Sequence, residues 1–332
     1  REQETVTVQP GITWEQLDKK LKPHDLVIRL YPTSYPSSSA GGWLAQGGAG
    51  IGSYEFGWFA ENVVSARIVL PSGETQDMTG DELQVVSDAE GTTGIISRMT
   101  IRVRKLADLG VTAIACPDPA ALGRIFQELI DRDVPVWSVV FINPRMAEMK
   151  NRSPVMTHMG HPVEQKVILP AAYIATLAYQ AADSETVMSN LTEIVKRCEG
   201  EILKQEIADH VWENRFKLMV VKRLGPSLVT AEVVVPLDKM ADVLEEIEDK
   251  NNQPVVKEGV IIKKGQNGKP EAVLLGFIPS DQRKFSYNFV FGLVLTIIKI
   301  AKKHGGRPYS TGLYFTREIN QILGRERADR LK

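Results

Sequence analysis

The chain of 332 residues has little cysteine, little histidine and no long apolar run. Its two cysteines, Cys116 and Cys198, lie far apart and neither sits in a CxxC pair. That argues against a disulfide framework or a thiolate metal cluster and makes a reducing cytoplasm the expected compartment. Five histidines leave few imidazoles for metal ligation. Neither sign of charge is in excess: 40 Lys and Arg stand against 41 Asp and Glu. Such a balance gives no global field for nucleic acid or an anionic membrane. The longest apolar run, Phe289 to Ile300, contains Lys299 and is too short to span a bilayer, so no integral membrane segment is expected. It reads as a buried strand running into a helix. Internal repeats, low-complexity tracts and leader-like runs are not visible.

What is present is ordinary for a globular protein: 43% hydrophobic and 24% charged residues, enough chain for about two domains. Residues 4–8 alternate and are β-branched, which predicts a strand. After the Pro10-Gly11 turn, Thr13 caps a helix carrying Trp14 and Leu17. Leu26 to Ile28, Val63 to Pro71, Glu74 to Met78 and Ile96 to Val103 read as strands, and Asp81 to Val86 as a short helix. Past Lys105 the pattern changes to strands at 111–115, 136–142, 167–169, 227–235, 260–262 and 272–278. Helices are predicted at 119–132, 185–198, 208–219, 237–249 and 293–304, the last closed by Gly305-Gly306. The alternation predicts an α+β sheet with helices on one face.

Residues 31–57 stand apart, with seven Gly, five Ser and two Pro and little period. Irregular stretches of that length tend to carry function. Glycine lets backbone N–H groups approach a diphosphate with no Cβ in the way, and a Gly-rich segment opening a helix sets phosphate at its positive end. A flexible surface loop is the plainer alternative. A second Gly loop, Asp88 to Ile96, feeds a strand.

Several elements in order resemble the vanillyl-alcohol oxidase / p-cresol methylhydroxylase superfamily of FAD-dependent oxidoreductases, in the layout of glycolate oxidase flavoprotein subunits and D-lactate dehydrogenases. Val6-Thr7-Val8-Gln9-Pro10-Gly11 resembles the family's V-x-P-G, and Pro32-Thr33-Ser34 its P-S-S. Ser39 to Gly50 resembles its T-I-G-G-N-x-A-x-N-x-G-G loop, with Trp43 and Gly47 in place of the two Asn. Phe56-Gly57, Glu61 and Val63 stand for Y-G-x-x-x-D-x-V, Leu70-Pro71-Ser72-Gly73 for L-P-D-G, and Glu90 to Ile96 for E-G-T-L-G-I-I. The resemblance implies a PCMH-type FAD-binding second subdomain over 1–106, an α+β, ferredoxin-like substrate or cap domain over 107–304, and a C-terminal segment, 305–332, returning toward the flavin. It implies that Pro32, Ser34, Ser38, Ser39, Gly41, Gly42 and Ala45 line the FAD, and that Glu90, Gly91, Gly94, Ile95 and Ile96 close over it. These loops hold no His, so the FAD is expected to be non-covalent. The family places a further small subdomain with an R-G-x-G loop ahead of the first matched motif, so the chain is expected to continue upstream of Arg1, and likewise past Lys332.

In the second domain, Trp212-Glu213-Asn214-Arg215 matches a family W-x-x-R, which implies that Arg215 holds a substrate carboxylate; a guanidinium can do so bidentately. An ordinary surface Arg beside a buried Trp is the alternative. A second basic substrate contact of relatives is replaced by Thr230. The family's metal motifs are lost: Gly276 to Lys284 replaces H-x-G-D-G-N-x-H, and Gly305 to Tyr314 replaces the G-E-H-G region. No catalytic divalent metal is therefore expected. Arg307, Tyr309, Ser310 and Tyr314 lie where the family's final loop meets the flavin, Arg307 as an anion clamp and Tyr309 as a proton relay, or all of them as packing anchors. His158 and His161 read as a polar loop rather than a metal site.

Three functions follow. The first is a flavin dehydrogenase taking a hydride from a small 2-hydroxy acid, lactate- or glycolate-like, and passing electrons to a quinone or an iron–sulfur partner. Any iron–sulfur centre would lie outside this chain, which has no Cys cluster. The second is a flavin subunit of an electron-transfer complex acting on another donor. The third is a degenerate member that binds no FAD. The claim most open to refutation is that the bends near 41 and 91 converge on one cleft.

Overall fold

A computed structural model describes residues 4–155, 157–158, 161–162, 166–224, 227–250, 255–265, 268–310 and 316–330. The chain divides into two compact units: Arg1–Asp108 with Ile262–Lys269 and Arg307–Lys332, and Leu109–Ile261 with Pro270–Gly306.

The first unit is built on a sheet of β1 (Thr5–Val8), β2 (Leu26–Ile28), β3 (Val63–Val69), β4 (Thr75–Thr79) and the long β5 (Ile95–Lys105), in the order β1-β5-β3-β4 with β2 also on β5. Helix α1 (Trp14–Leu21) starts with a reciprocal cap between Thr13 and Gln16, and it buries Trp14, Leu17 and Leu21 at helical spacing. The Gly-rich stretch is less irregular than its composition predicts. It folds into α2 (Ala40–Gln46), capped by the Ser39 hydroxyl on the Gly42 amide, and a single turn, α3 (Ser53–Phe56). Trp43 on α2 is buried, stacked on Phe59 at 4.2 Å, with Trp14 edge-on to both rings at 5.3 Å. This trio anchors the core and fixes α2 against α1. The excursion at 262–269 belongs here too: the Lys263 amide donates to the Tyr54 carbonyl at 3.3 Å.

The second unit contains β6 (Leu109–Cys116), α4 (Pro119–Asp131), β7 (Ser138–Ile142), α5 (Pro144–Arg152), the short β8 (Thr157–His158) and β9 (His161–Pro162), and β10 (Tyr173–Gln180). Then come α6 (Ser184–Arg197), β11 (Glu201–Ile202), α7 (Gln205–Glu213), β12 (Ser227–Pro236), α8 (Met240–Lys250), β13 (Val256–Ile262), β14 (Glu271–Ser280) and α9 (Tyr287–Lys303). Its sheet runs β11-β6-β10-β7-β13-β14-β12. Strands β10 and β13 are buried along almost their whole length, so both faces of the sheet are covered where the element pattern predicts helices on one.

Three sequence expectations change. No strand forms at 167–169. The run Phe289 to Ile300 is helix throughout, part of α9, because its buried residues Val290, Val294, Ile297, Ile298 and Ala301 recur at helical rather than strand spacing. Expected as one helix over 208–219, the chain instead ends α7 at Glu213. Of His158 and His161 only the backbone is described, and Tyr314 lies outside the described residues. Among the described residues no helix is long and apolar enough to cross a membrane.

Candidate flavin site

The two glycine bends meet within the first unit. The Glu90 amide donates to the Ala45 carbonyl at 2.9 Å, which ties the second bend to helix α2. Asp88 packs against Gly47 so closely that a Cβ there would fall 1.5 Å from Asp88 Oδ1, and Gly47 has φ +77 besides. A side chain at Gly47 would push the two bends apart.

Most glycines of the first bend serve contact between protein segments. A Cβ on Gly41 would meet Pro10 Cβ at 2.3 Å, and one on Gly50 the Tyr31 carbonyl at 2.0 Å. The amides are engaged in the same way: Ala40 donates to Ile12 O, Gly41 to Pro10 O and Gly42 to Ser39 Oγ. Amides at 40–42 aimed at a diphosphate, the physical reason for glycine there, are therefore not what this bend offers. What it leaves at the surface is the side-chain-free face of Gly42 and the hydroxyls of Ser34 and Ser38, which bond each other at 2.8 Å. Across from it, Glu90 and Gly91 are exposed, a Cβ on Gly91 would meet nothing within 4 Å, and Ile95 is 72% exposed. Gly94 is packed on Ile68 and Val69, Pro32 is buried, and Ser39, Ala45 and Ile96 are half-buried. Bare backbone, hydroxyls and an exposed aliphatic side chain suit the phosphates and flat rings of a dinucleotide. The residues fit FAD.

The C-terminal segment completes this unit. Tyr309 places its hydroxyl against the Gly loop, accepting from the Ala49 amide at 2.9 Å, with its ring 6.1 Å from Trp58. The Arg307 guanidinium lies 5.5 Å from the Trp58 ring centre. Arg327, on the helix Arg325–Arg330, donates to the carbonyls of Gln84 (2.9 Å) and Ser87 and pairs with Asp88 at 3.7 Å. Burial pushes the Asp88 carboxyl up to about 6, against the pull of Arg327 and Arg307 and with the help of Glu90. A cavity of about 520 Å³ is lined by Gly48 from the first bend, Asp88 from the second, and Trp58, Arg102 and Arg327. Neither Asp88 nor Arg327 stood out in the sequence: one opens a loop, the other sits in a charged tail.

Arg215 lies in the second unit, just past α7. Its guanidinium is held over the rings of Trp212 (4.2 Å) and Phe216 (4.6 Å) and donates to the Trp212 carbonyl at 2.6 Å. Nearby, a cavity of about 60 Å³ is bordered by Lys150, Lys166, His210, Asn214 and Lys217. Thr230 is exposed on β12. Among the described residues no three His, Cys, Asp or Glu are grouped to hold a metal.

Residues 1–79 match the FAD binding domain family, and residues 108–256 match the C-terminal domain of FAD linked oxidases. The chain thus carries an FAD binding domain followed by the C-terminal domain of FAD linked oxidases, and FAD is its cofactor. Similar proteins include the mitochondrial D-lactate dehydrogenase [cytochrome] of Arabidopsis thaliana, 31% identical over 33% of this chain and 20% of its own length. The glycolate oxidase subunit GlcD of Bacillus subtilis is 21% identical over 74% of this chain and 54% of its own length. The chain thus spans about half of GlcD and less of the plant enzyme. Among solved structures, 4-ethylphenol oxidase from Gulosibacter chungangensis has a TM-score of 0.77 at 13% identity, covering 99% of this chain and 72% of its own. p-Cresol methylhydroxylase has a TM-score of 0.75 at 14% identity, covering 98% and 72%. These likenesses establish the oxidase family's α+β fold.

Proposed function

We propose that this FAD-dependent enzyme dehydrogenates a small 2-hydroxy acid and passes the electrons to a separate acceptor, a quinone or an iron–sulfur protein. The observation that carries the flavin half of this reading is the Glu90-to-Ala45 bond, which holds both bends at one surface. FAD, when bound, supplies the two-electron acceptor. The chain's own residues hold and orient. Gly42, Ala45, Ser34 and Ser38 offer the first bend's surface, and Glu90, Gly91 and Ile95 the second's. Arg307 and Arg327 add positive charge beside Asp88.

The anionic character of the substrate is supported by Arg215 and its surroundings. Two aromatic faces fix the guanidinium plane and lower the entropy lost when it clamps a carboxylate. The Lys166 and Lys217 rim gives that end of α7 a positive field. The related D-lactate dehydrogenase and glycolate oxidase subunit carry acids of this kind in their names. Both thiols are free and buried, and burial pushes Cys116 up to about 12, which makes it a packing residue and not a redox group of the reaction.

The test is anaerobic reduction of the FAD-loaded protein by D-lactate, glycolate and related acids, followed as flavin bleaching. Reduction by at least one acid is expected, and Arg215→Met should slow it about 100-fold, the order of one lost charge-assisted clamp. A yellow protein bleached by none of them would leave the flavin assignment standing and remove the hydroxy-acid substrate.

A further inference from the structure

Helix α9 has two faces of opposite use. One packs into the second unit through Val290, Val294, Ile297, Ile298 and Ala301. The other leaves Phe289 and Leu295 exposed at 65% and 53%, and Phe285, on the turn leading into the helix, at 79%. Phe285 and Phe289 touch edge-to-face at 5.5 Å, and Tyr287 and Phe291 pair at 5.8 Å, so the helix start is a cluster of aromatic rings. Exposed rings at this density cost solubility unless something covers them.

Along the chain, the charge that flanks the cluster from Arg283 onward has one sign. From Gln282 to His304 the chain has no Asp or Glu. Lys284 and Lys299 are exposed, before the cluster and along the same outward face. The nearest acid in sequence, Asp281, is already engaged by Arg283 through two bonds of 2.9 Å. Farther along, Lys303 and His304 are held by Glu246 of α8, at the end of α9 away from the ring cluster. Aromatic rings projecting from a helix start and flanked by cations match the interface of an anionic bilayer, where rings sit at headgroup depth and Lys or Arg meets lipid phosphate.

We infer that the Phe285–Leu295 face of α9 docks this protein peripherally on an anionic lipid surface. The rings supply insertion and the lysines select negative headgroups. The inference uses the second unit alone and stands or falls apart from the flavin reading.

Flotation of the full chain with vesicles tests it, comparing phosphatidylcholine alone with an equal mixture of phosphatidylcholine and phosphatidylglycerol. The chain is expected to float with the mixed vesicles, less so at high salt, and poorly with phosphatidylcholine alone. Replacing both exposed rings, F285S with F289S, should lower partitioning by about tenfold or more, since each removes apolar area that enters the bilayer. The charge variant K284E with K299E should abolish the preference for anionic vesicles while leaving circular dichroism unchanged. Absence of wild-type flotation with either vesicle overturns the proposal, as does undiminished flotation of the ring variant. Concentration-dependent dimers that F285S with F289S dissolves, without vesicle binding, would assign the face to a second copy and overturn it too.

Discussion

The two units place their tight packing differently. In the first it lies in the bends: Gly41 against Pro10, Gly47 against the Asp88 side chain and Gly50 against the Tyr31 carbonyl leave no room for a side chain. In the second it lies within strands, Gly259 against Phe141 and Gly276 against the Ala231 carbonyl, and every residue of β13 and the first eight of β14 are inside. A unit packed through bends depends on single positions and presents shaped, polar surface. A unit packed through apolar strands spreads its stability over many residues and holds buried ionisable groups, including Lys257 and Glu258, successive on β13, with burial disfavouring the charged form of each.

The sharpest way to break that contrast is at the ring trio. Trp43→Ala should cost about 3–5 kcal/mol, read as a drop in urea midpoint, and should unfasten α2. Next is Gly47→Ala, roughly 2–4 kcal/mol from left-handed strain plus overpacking on Asp88, with weakened FAD binding in a fluorescence titration. Its control is Gly91→Ala, with φ +71 but open space around it, where about 1 kcal/mol of backbone strain is expected. Equal losses at 47 and 91 would mean that the contact with Asp88 does not matter.

A third test uses pH. Asp88 is raised from 3.8 to about 6, so the folded protein binds its proton more tightly than the unfolded chain. Stability from this group is therefore present at low pH and falls as pH rises from about 4 to 6, by at most about 3 kcal/mol. Asp88→Asn should flatten that part of the stability curve. Lys257 runs the other way: burial lowers it from 10.5 to about 7, so its contribution is lost as pH falls through that window. Lys257→Met should flatten the alkaline side and leave the acid side unchanged.

How much of this was legible in the sequence follows the same division. Turn and cap chemistry is local, so Thr13, the Pro10-Gly11 turn and the order of the glycine motifs indicated α1 and both bends. Close approach is not local, so the partners of those glycines, Pro10, Tyr31 and Asp88, could not be read off. Arg327, more than two hundred residues from Asp88, gave no cue. In the second unit β10 was missed because a strand buried on both faces has no alternation to detect. Helix α5 was missed although its signal was present: Asn143 caps the Met146 amide and Pro144 takes the first helical position.

The chain passes from one unit to the other four times, at 108/109, 261/262, 269/270 and 306/307. During synthesis the glycine loops emerge 260 residues before the Tyr309 hydroxyl that bonds Ala49, and Ser87 emerges 240 residues before the Arg327 side chain that grips it. The flavin-side unit must therefore wait, half-assembled, while the strands of the other unit are translated and paired. Cutting the chain after Asp108 would yield neither a shorter working domain nor a clean remainder, and removal of the last thirty residues should damage the beginning of the protein before its middle.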